Sequence, residues 1–478
     1  MYMIRGTALA VITLVLVSTA VTLMARPESK QYLQSNRNRK IINAEWKYFS
    51  GEPTGSPQNS SFDDSQWKAV NIPHSFAIPW WIQDRVNFGG IGWYRKHFTL
   101  QAQDSLRQVF VEFEGVFLHC WVYVNGTLVG EHKGGYTGFS YDITKLVDTK
   151  RGDNVLAVKV SSNAESTIAP LAGDHIFAGG IYRDVYLVTT DPMHVQFNGM
   201  YVSTPFAGSH TSPAGYTLPT SYAKVPVRIQ FEIKNKYSAM RSCYVRTEVF
   251  DKDSQSVLVF PILFRDIDSG AVDTIIQEDS LESPSFWSPS DPYLYRASTQ
   301  IWIGCDCVDL FEAEFGIRWF QSTAADGFYL NGKKTYLRGF NVHQDHAGWA
   351  TAVTNAGHVR DVKLCKETGA QFIRGSHYPK DPAFVKACDT LGICLMMEMC
   401  YWGKGGGTGA NASPASGTAD FTAFRQNCIE QTTEMVRAFR NNPSVMFWSL
   451  ANEPTGGALN CNDLHAAVKA LDSTRPTC

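Results

Sequence analysis

Two β-sandwiches followed by the first half of a parallel (β/α)8 TIM-type barrel are the architecture this sequence predicts, and three observations carry that prediction. Short alternating strands fill residues 41–190 and again residues 193–322. Past Ser322 apolar runs of strand length alternate with helical patterns, the signature of βα units and a parallel sheet. Residues 445–450 are a nearly unbroken apolar run, which reads as a strand buried on both faces. That run leads into Asn452 and Glu453, which places a carboxylate at the C-terminal mouth of the sheet, where barrels and open α/β sheets hold their chemistry.

A length of 478 residues suits about three domains at ~100–200 residues each. A net charge of -2 gives no electrostatic reason to expect a nucleic-acid partner. The 13% aromatic content fits sugar-stacking surfaces and sandwich cores equally and decides nothing. At the N-terminus, Arg5 precedes an almost uncharged run to Ala25, with Arg26 and Lys30 beyond. Residues 1–25 are therefore expected to be a signal peptide directing secretion or export to a periplasm. The run is also long enough to serve as a membrane anchor. Eleven scattered Cys in so large a chain do not make a disulfide scaffold, and none has zinc-site spacing.

Taken in order, residues 30–190 are expected to form a jelly-roll sandwich, with a β-barrel as the alternative. Val109, Val111 and Phe113 alternate with polar residues, as do Leu156, Val158 and Val160. Asn125 and Gly126 are the pair a tight type I′ hairpin requires, since both turn positions need positive φ. Residues 191–322 fit an immunoglobulin-like sandwich with a structural role; Val225 to Ile233 alternate, and Pro289 and Pro292 mark loops. From 323 to 478, a hairpin at Asn331 and Gly332 leads into the first barrel strand. A helix over 358–368 follows, with Val359, Val362 and Cys365 on one face. Asp381 as N-cap, Pro382 at the first helical position and Gly392 just past the end bound a second helix. A third strand ends at Glu398, a long helix runs through Phe424, Cys428, Met435 and Phe439, and the apolar run is the fourth strand. The Gly-rich loop 405–417 is expected at the rim, and a last helix covers 462–471. Four βα units make half of a barrel that takes about 250 residues. The chain is thus expected to be truncated within the barrel and to associate through its open edges.

Polar groups cluster at the four strand ends: Asn341, His343, Gln344, Asp345 and His346; Arg374, His377 and Tyr378; Glu398, Tyr401 and Trp402; Asn452 and Glu453. Glycoside cleavage fits them. Its oxocarbenium-like transition state needs one protonated carboxyl for the leaving oxygen and a second carboxylate across the sugar. Glu453 suits the acid, tuned by the His and Arg around it. A metal site of His343, His346 and His377 is the rival reading, but it lacks a matched carboxylate or a helical H-E-x-x-H pattern.

The motifs in order resemble glycoside hydrolase family 2, the β-galactosidases, β-glucuronidases and β-mannosidases. Phe62, Asp63 and Trp67, then Gly92, Trp93, Tyr94 and Arg95, then Gly180, Ile181, Tyr182 and Arg183 resemble its sugar-binding domain. Trp287 and Pro289 resemble the close of its second domain. Arg338, Gly339 and His343, then Arg374, His377, Tyr378 and Pro379, then Trp448, Asn452 and Glu453 resemble its barrel. The resemblance implies a retaining hydrolase acting on a β-linked oligosaccharide or glycoconjugate, without a cofactor and with homo-oligomers in the full-length form. It implies Glu453 as acid/base and Asn452 on the sugar 2-hydroxyl. Arg374, His343, His377, Glu398 and Trp402 would line the sugar site, and Asp174 would be lent to it by the first domain. The family's nucleophile, a Glu ending strand seven, is absent from this chain, so the chain by itself is expected to be inactive. Trp402 and Lys404 stand where magnesium-binding relatives carry Glu and His, so no metal is expected. Asn341 to His346 with Trp349 look most like β-galactosidases, which cleave terminal β-galactosides. β-Glucuronidase, β-mannosidase and a non-catalytic carbohydrate-binding product are the alternatives, and a purely structural sandwich protein leaves the strand-end cluster unexplained.

Overall fold

The computed structural model describes residues 37–478 apart from residues 80–86, 151, 172, 174, 206–208, 211–222, 324–326, 405–413, 415 and 456–460. The expected signal peptide, Asp174 and most of the expected rim loop lie outside the described residues. Among the described residues, no helix is long and apolar enough to cross a membrane.

The first domain is a sandwich of two antiparallel sheets. One runs Asn38–Ile41, Val185–Thr190, Gln108–Phe113, Phe139–Asp142. The other runs Lys68–Val70, Trp46–Ser50, Ile91–Phe98, Asn154–Ser161, His119–Val124, Thr127–Lys133. The period-2 residues do what their spacing dictates: Val109, Val111 and Phe113 meet Val122, Leu156, Val158 and Val160 in one core. Asn125 and Gly126 take φ 49° and 91° between the last two of these strands, as the hairpin requires.

The second domain packs Met193–Ser203, Lys224–Asn235 and Val272–Glu282 against a five-stranded sheet centred on Arg241–Phe250 and Tyr295–Ile303. Val227, Ile229 and Phe231 face Val245, Val249, Ala297 and Ile301 between the two sheets.

In the third domain, strands Gly339–Asn341, Phe372–Gly375, Cys394–Glu398 and Val445–Ser449 are parallel neighbours in that order. Helices α1 (Asn355–Glu367), α2 (Pro382–Leu391), α3 (Ala419–Phe439) and α4 (Cys461–Leu471) follow them. The Asp381 side chain accepts from the Ala383 amide, and Gly392 at φ 70° closes α2. One expectation is corrected. Helix α1 begins at Asn355, three residues earlier than its pattern suggested, because the Thr354 hydroxyl accepts from Gly357 N and caps it there. Its buried face is His358 and Val362, while Val359 is 44% exposed. At the C-terminus, Trp448 N donates to Pro476 O and Leu450 N to Cys478 O, so residues 476–478 lie along the fourth strand through an isolated parallel bridge at Thr477.

That fourth strand is anchored from behind. Trp448 Nε1 donates to Asp472 Oδ2 at 2.8 Å, and Asp472 also accepts from Arg475 at 2.5 Å and from Tyr201 of the second domain at 3.1 Å. Arg318, also from the second domain, donates to Pro443 O and Val445 O. The sandwich thus holds the strand that leads to Asn452 and Glu453.

Candidate active site

Arg374, at the end of the second barrel strand, organises the mouth. Its Nε donates to Glu398 Oε2 at 2.8 Å and its Nη2 to Asn452 Oδ1 at 2.8 Å. Glu398 also takes His377 Nδ1 on Oε1 at 2.6 Å and Ser449 Oγ on Oε2 at 2.9 Å. Two orientations follow. Asn452, with its oxygen occupied, is left to present its NH2 as a donor, and His377, with Nδ1 committed, is left with Nε2.

Glu398 was expected to touch substrate. It is fully buried with both oxygens engaged, as a buried carboxylate must be to be stable. Its part is to orient Arg374 and His377.

Glu453 is exposed and sits at φ 46°, a left-handed conformation uncommon for a residue with a side chain. Asn452–Thr455 pairs in parallel with Trp402–Lys404, which sets the expected wall residue Trp402 opposite Asn452, one residue before the expected acid. The Trp402 ring meets His377 edge-on at 4.8 Å, and His377 lies 5.3 Å from His343. His343, His377, Trp402, Arg374, Asn452 and Glu398 are therefore brought together as expected.

His346 turns away: its Nε2 pairs with Asp361 on α1 at 2.7 Å, which raises its pKa and removes it from His343 and His377. The three-His metal reading loses a ligand. Among the described residues, no group of three or more His, Cys, Asp or Glu is arranged to hold a metal ion.

The first domain supplies the back wall, which sequence reasoning largely missed. Tyr136 stacks on Tyr378 at 4.3 Å and 8°. His175 lies 5.6 Å from His343, 4.9 Å from Tyr378 and 6.4 Å from Trp402, with Nε2 3.2 Å from Tyr136 Oη. Burial, reinforced by His343, Lys380 and His377, holds the His175 pKa well below the ordinary imidazole value, so it is a neutral group here. Arg183 crosses from the first domain to donate to Pro379 O at 2.6 Å and Gln344 Oε1 at 3.1 Å, fixing the loops that carry His377 and His343. Lys380 is fully buried and donates to Ser376 O at 2.7 Å. Nothing local in the sequence marks Tyr136 as a site residue; only the adjacency of His175 to Asp174 offered a signal.

Three family models match the chain: "Glycosyl hydrolases family 2, sugar binding domain" over residues 51–191, "Glycosyl hydrolases family 2" over 215–318, and "Glycosyl hydrolases family 2, TIM barrel domain" over 323–478. A β-glucuronidase of Bacteroides fragilis is 29% identical over 93% of this chain and 61% of its own length. A β-galactosidase of Thermoanaerobacter pseudethanolicus is 28% identical over 91% of this chain and 54% of its own. The crystal structure of a Bacteroides uniformis β-glucuronidase superposes with a TM-score of 0.81 at 30% identity, covering 92% of this chain and 52% of that one. The chain thus spans about half the length of the relatives it matches.

Proposed function

The chain belongs to glycoside hydrolase family 2, and from that premise we propose that it carries the acid/base half of a retaining β-glycosidase site acting on a terminal sugar of a glycan. The observation that supports this most is the shared guanidinium: Arg374 occupies the Asn452 carbonyl and leaves its amide NH2 to donate to a sugar 2-hydroxyl beside Glu453. Glu453 protonates the leaving oxygen and, after glycosyl transfer to a nucleophile, takes a proton from the attacking water. Glu398 is a poor nucleophile candidate, since Arg374, His377 and Ser449 occupy its oxygens. The reading thus needs a second carboxylate other than Glu398, and this chain alone is expected to show no turnover.

For the sugar we propose a β-galactoside. The groups gathered around His343, His377, Trp402 and neutral His175 suit hydroxyls, and the Arg374 donors named above are already used within the protein. A β-glucuronide is the second reading, favoured by relatives that carry that name.

The test is hydrolysis of chromogenic β-galactoside and β-glucuronide by this chain and by a form extended along its reading frame, each with Glu453→Gln. Activity in the extended form alone, reduced at least about 10³-fold by Glu453→Gln, is expected, a barrier increase of about 4 kcal/mol. Turnover by the short chain would refute this; preference for the glucuronide would replace the galactoside.

A further inference from the structure

The second domain carries a feature that the barrel site does not use. In its five-stranded sheet, strand Leu263–Ile267 pairs with Arg241–Phe250, which pairs in turn with Tyr295–Ile303. The inward residues of these strands, Cys243, Val245, Val249, Ala297 and Ile301, complete the core. On the opposite face, the register places Phe264, Tyr244 and Trp302 directly across from one another on three adjacent strands. The ring centroids are 5.8 Å and 5.9 Å apart, and Tyr244 and Trp302 are parallel to within 6°. Phe264 is 74% exposed, and Tyr244 and Trp302 are partly exposed.

We propose that this aromatic row is a second, non-catalytic glycan-binding site that holds a chain of β-linked pyranoses. The row rests on the family reading above for its choice of ligand class and is independent of the barrel chemistry. Three features fit that occupant. Rigid aromatic rings give large amphipathic contact area at little entropic cost and complement the C–H faces of sugar rings. The ring spacings of 5.8 and 5.9 Å are on the scale of one pyranose, with Tyr244 and Trp302 parallel and Phe264 tilted by 46° at the outer end of the row. Hydrogen-bonding side chains border the row on the same sheet face: Arg246 and Asp266 are exposed, and Gln300 is held by Trp302 Nε1 donating to its Oε1 at 3.0 Å. An apolar strip with a polar border suits an uncharged polyhydroxylated chain better than a lipid surface, for which Phe264 alone projects. Such a site would keep a polymeric substrate at the enzyme between cleavages by raising its effective concentration.

The experiment is affinity electrophoresis of the 478-residue chain through gels containing β-1,4-galactan, glucuronoxylan or neutral β-glucan. Retardation by at least one polymer is expected, with apparent affinity falling fivefold or more in Trp302→Ala and in Phe264→Ala. Trp302→Phe, which keeps a ring, should retain most of the binding, and all three variants should unfold at the wild-type denaturant concentration. No retardation in any gel, or equal retardation of wild type and alanine variants, would overturn the proposal. So would concentration-dependent sedimentation abolished by Trp302→Ala, which would make the row a self-association surface. In the extended form, Trp302→Ala should leave hydrolysis of a small chromogenic glycoside unchanged, so failure here and failure of the barrel reading are separate results.

Discussion

Arg374 ties two groups to one guanidinium, and its geometry explains why a lysine would not replace it. The planar fork reaches Glu398 and Asn452 at once, whereas an ammonium is a point donor without fixed divergence. Removing it also strands a fully buried carboxylate. Arg374→Met is expected to lower the unfolding free energy of this chain by about 3–5 kcal/mol. Denaturant unfolding reads this directly, and a loss below about 1 kcal/mol would mean that Glu398 is satisfied without it. Glu453 illustrates the converse: its left-handed backbone, φ 46°, is uncommon for a residue with a side chain and sets it apart from the locally easiest conformation.

Between elements, the junction of the first domain with α2 concentrates charge. Glu114 follows the strand Gln108–Phe113, and Asp381 caps α2. Burial first, then Asp381 and Asp184, push the Glu114 carboxyl up to about 8, against the opposing pull of Arg39 and Arg183. The folded state therefore holds a proton that the unfolded chain releases in the ordinary carboxylate range. That contribution to stability is fully present below the unfolded value and is lost as pH rises toward about 8. Stability should fall over that window with a slope on the order of 1 kcal/mol per pH unit, and Glu114→Gln should flatten it. Melting temperatures across the window, compared for the two proteins, provide the check; parallel curves would contradict it.

Across the whole molecule, the sheet of the third domain has an uncovered side. Gly339–Asn341 pairs only with Phe372–Gly375 among the described residues. Phe340 is 51% exposed and Tyr336 66% exposed, with Val359 and Leu364 of α1 also outward. An exposed edge strand beside an apolar helix face recruits a partner. The chain is expected to associate at micromolar concentration, and sedimentation velocity showing one stable monomer would refute this.

How much was legible in advance follows from which interactions are local. The I′ turn at Asn125, the caps Asp381 and Gly392, the alternating strands and the apolar run leading to Glu453 are set by φ preferences and side-chain period within a few residues. The sequence by itself therefore determined the three-domain architecture, the parallel barrel strands, the family and most of the strand-end cluster. The start of α1 was misjudged because Thr354 caps it before its apolar pattern begins. Only the tertiary structure decided that Glu398 is buried beneath Arg374 and His377, that Arg374 takes the Asn452 carbonyl, that His346 belongs to Asp361, and that Tyr136, His175 and Arg183 of the first domain pack against the strand-end loops. These choices depend on which groups converge from segments far apart in the chain, as Tyr136 and Tyr378 or Arg183 and Pro379 do, and such convergence leaves no periodic trace along the chain.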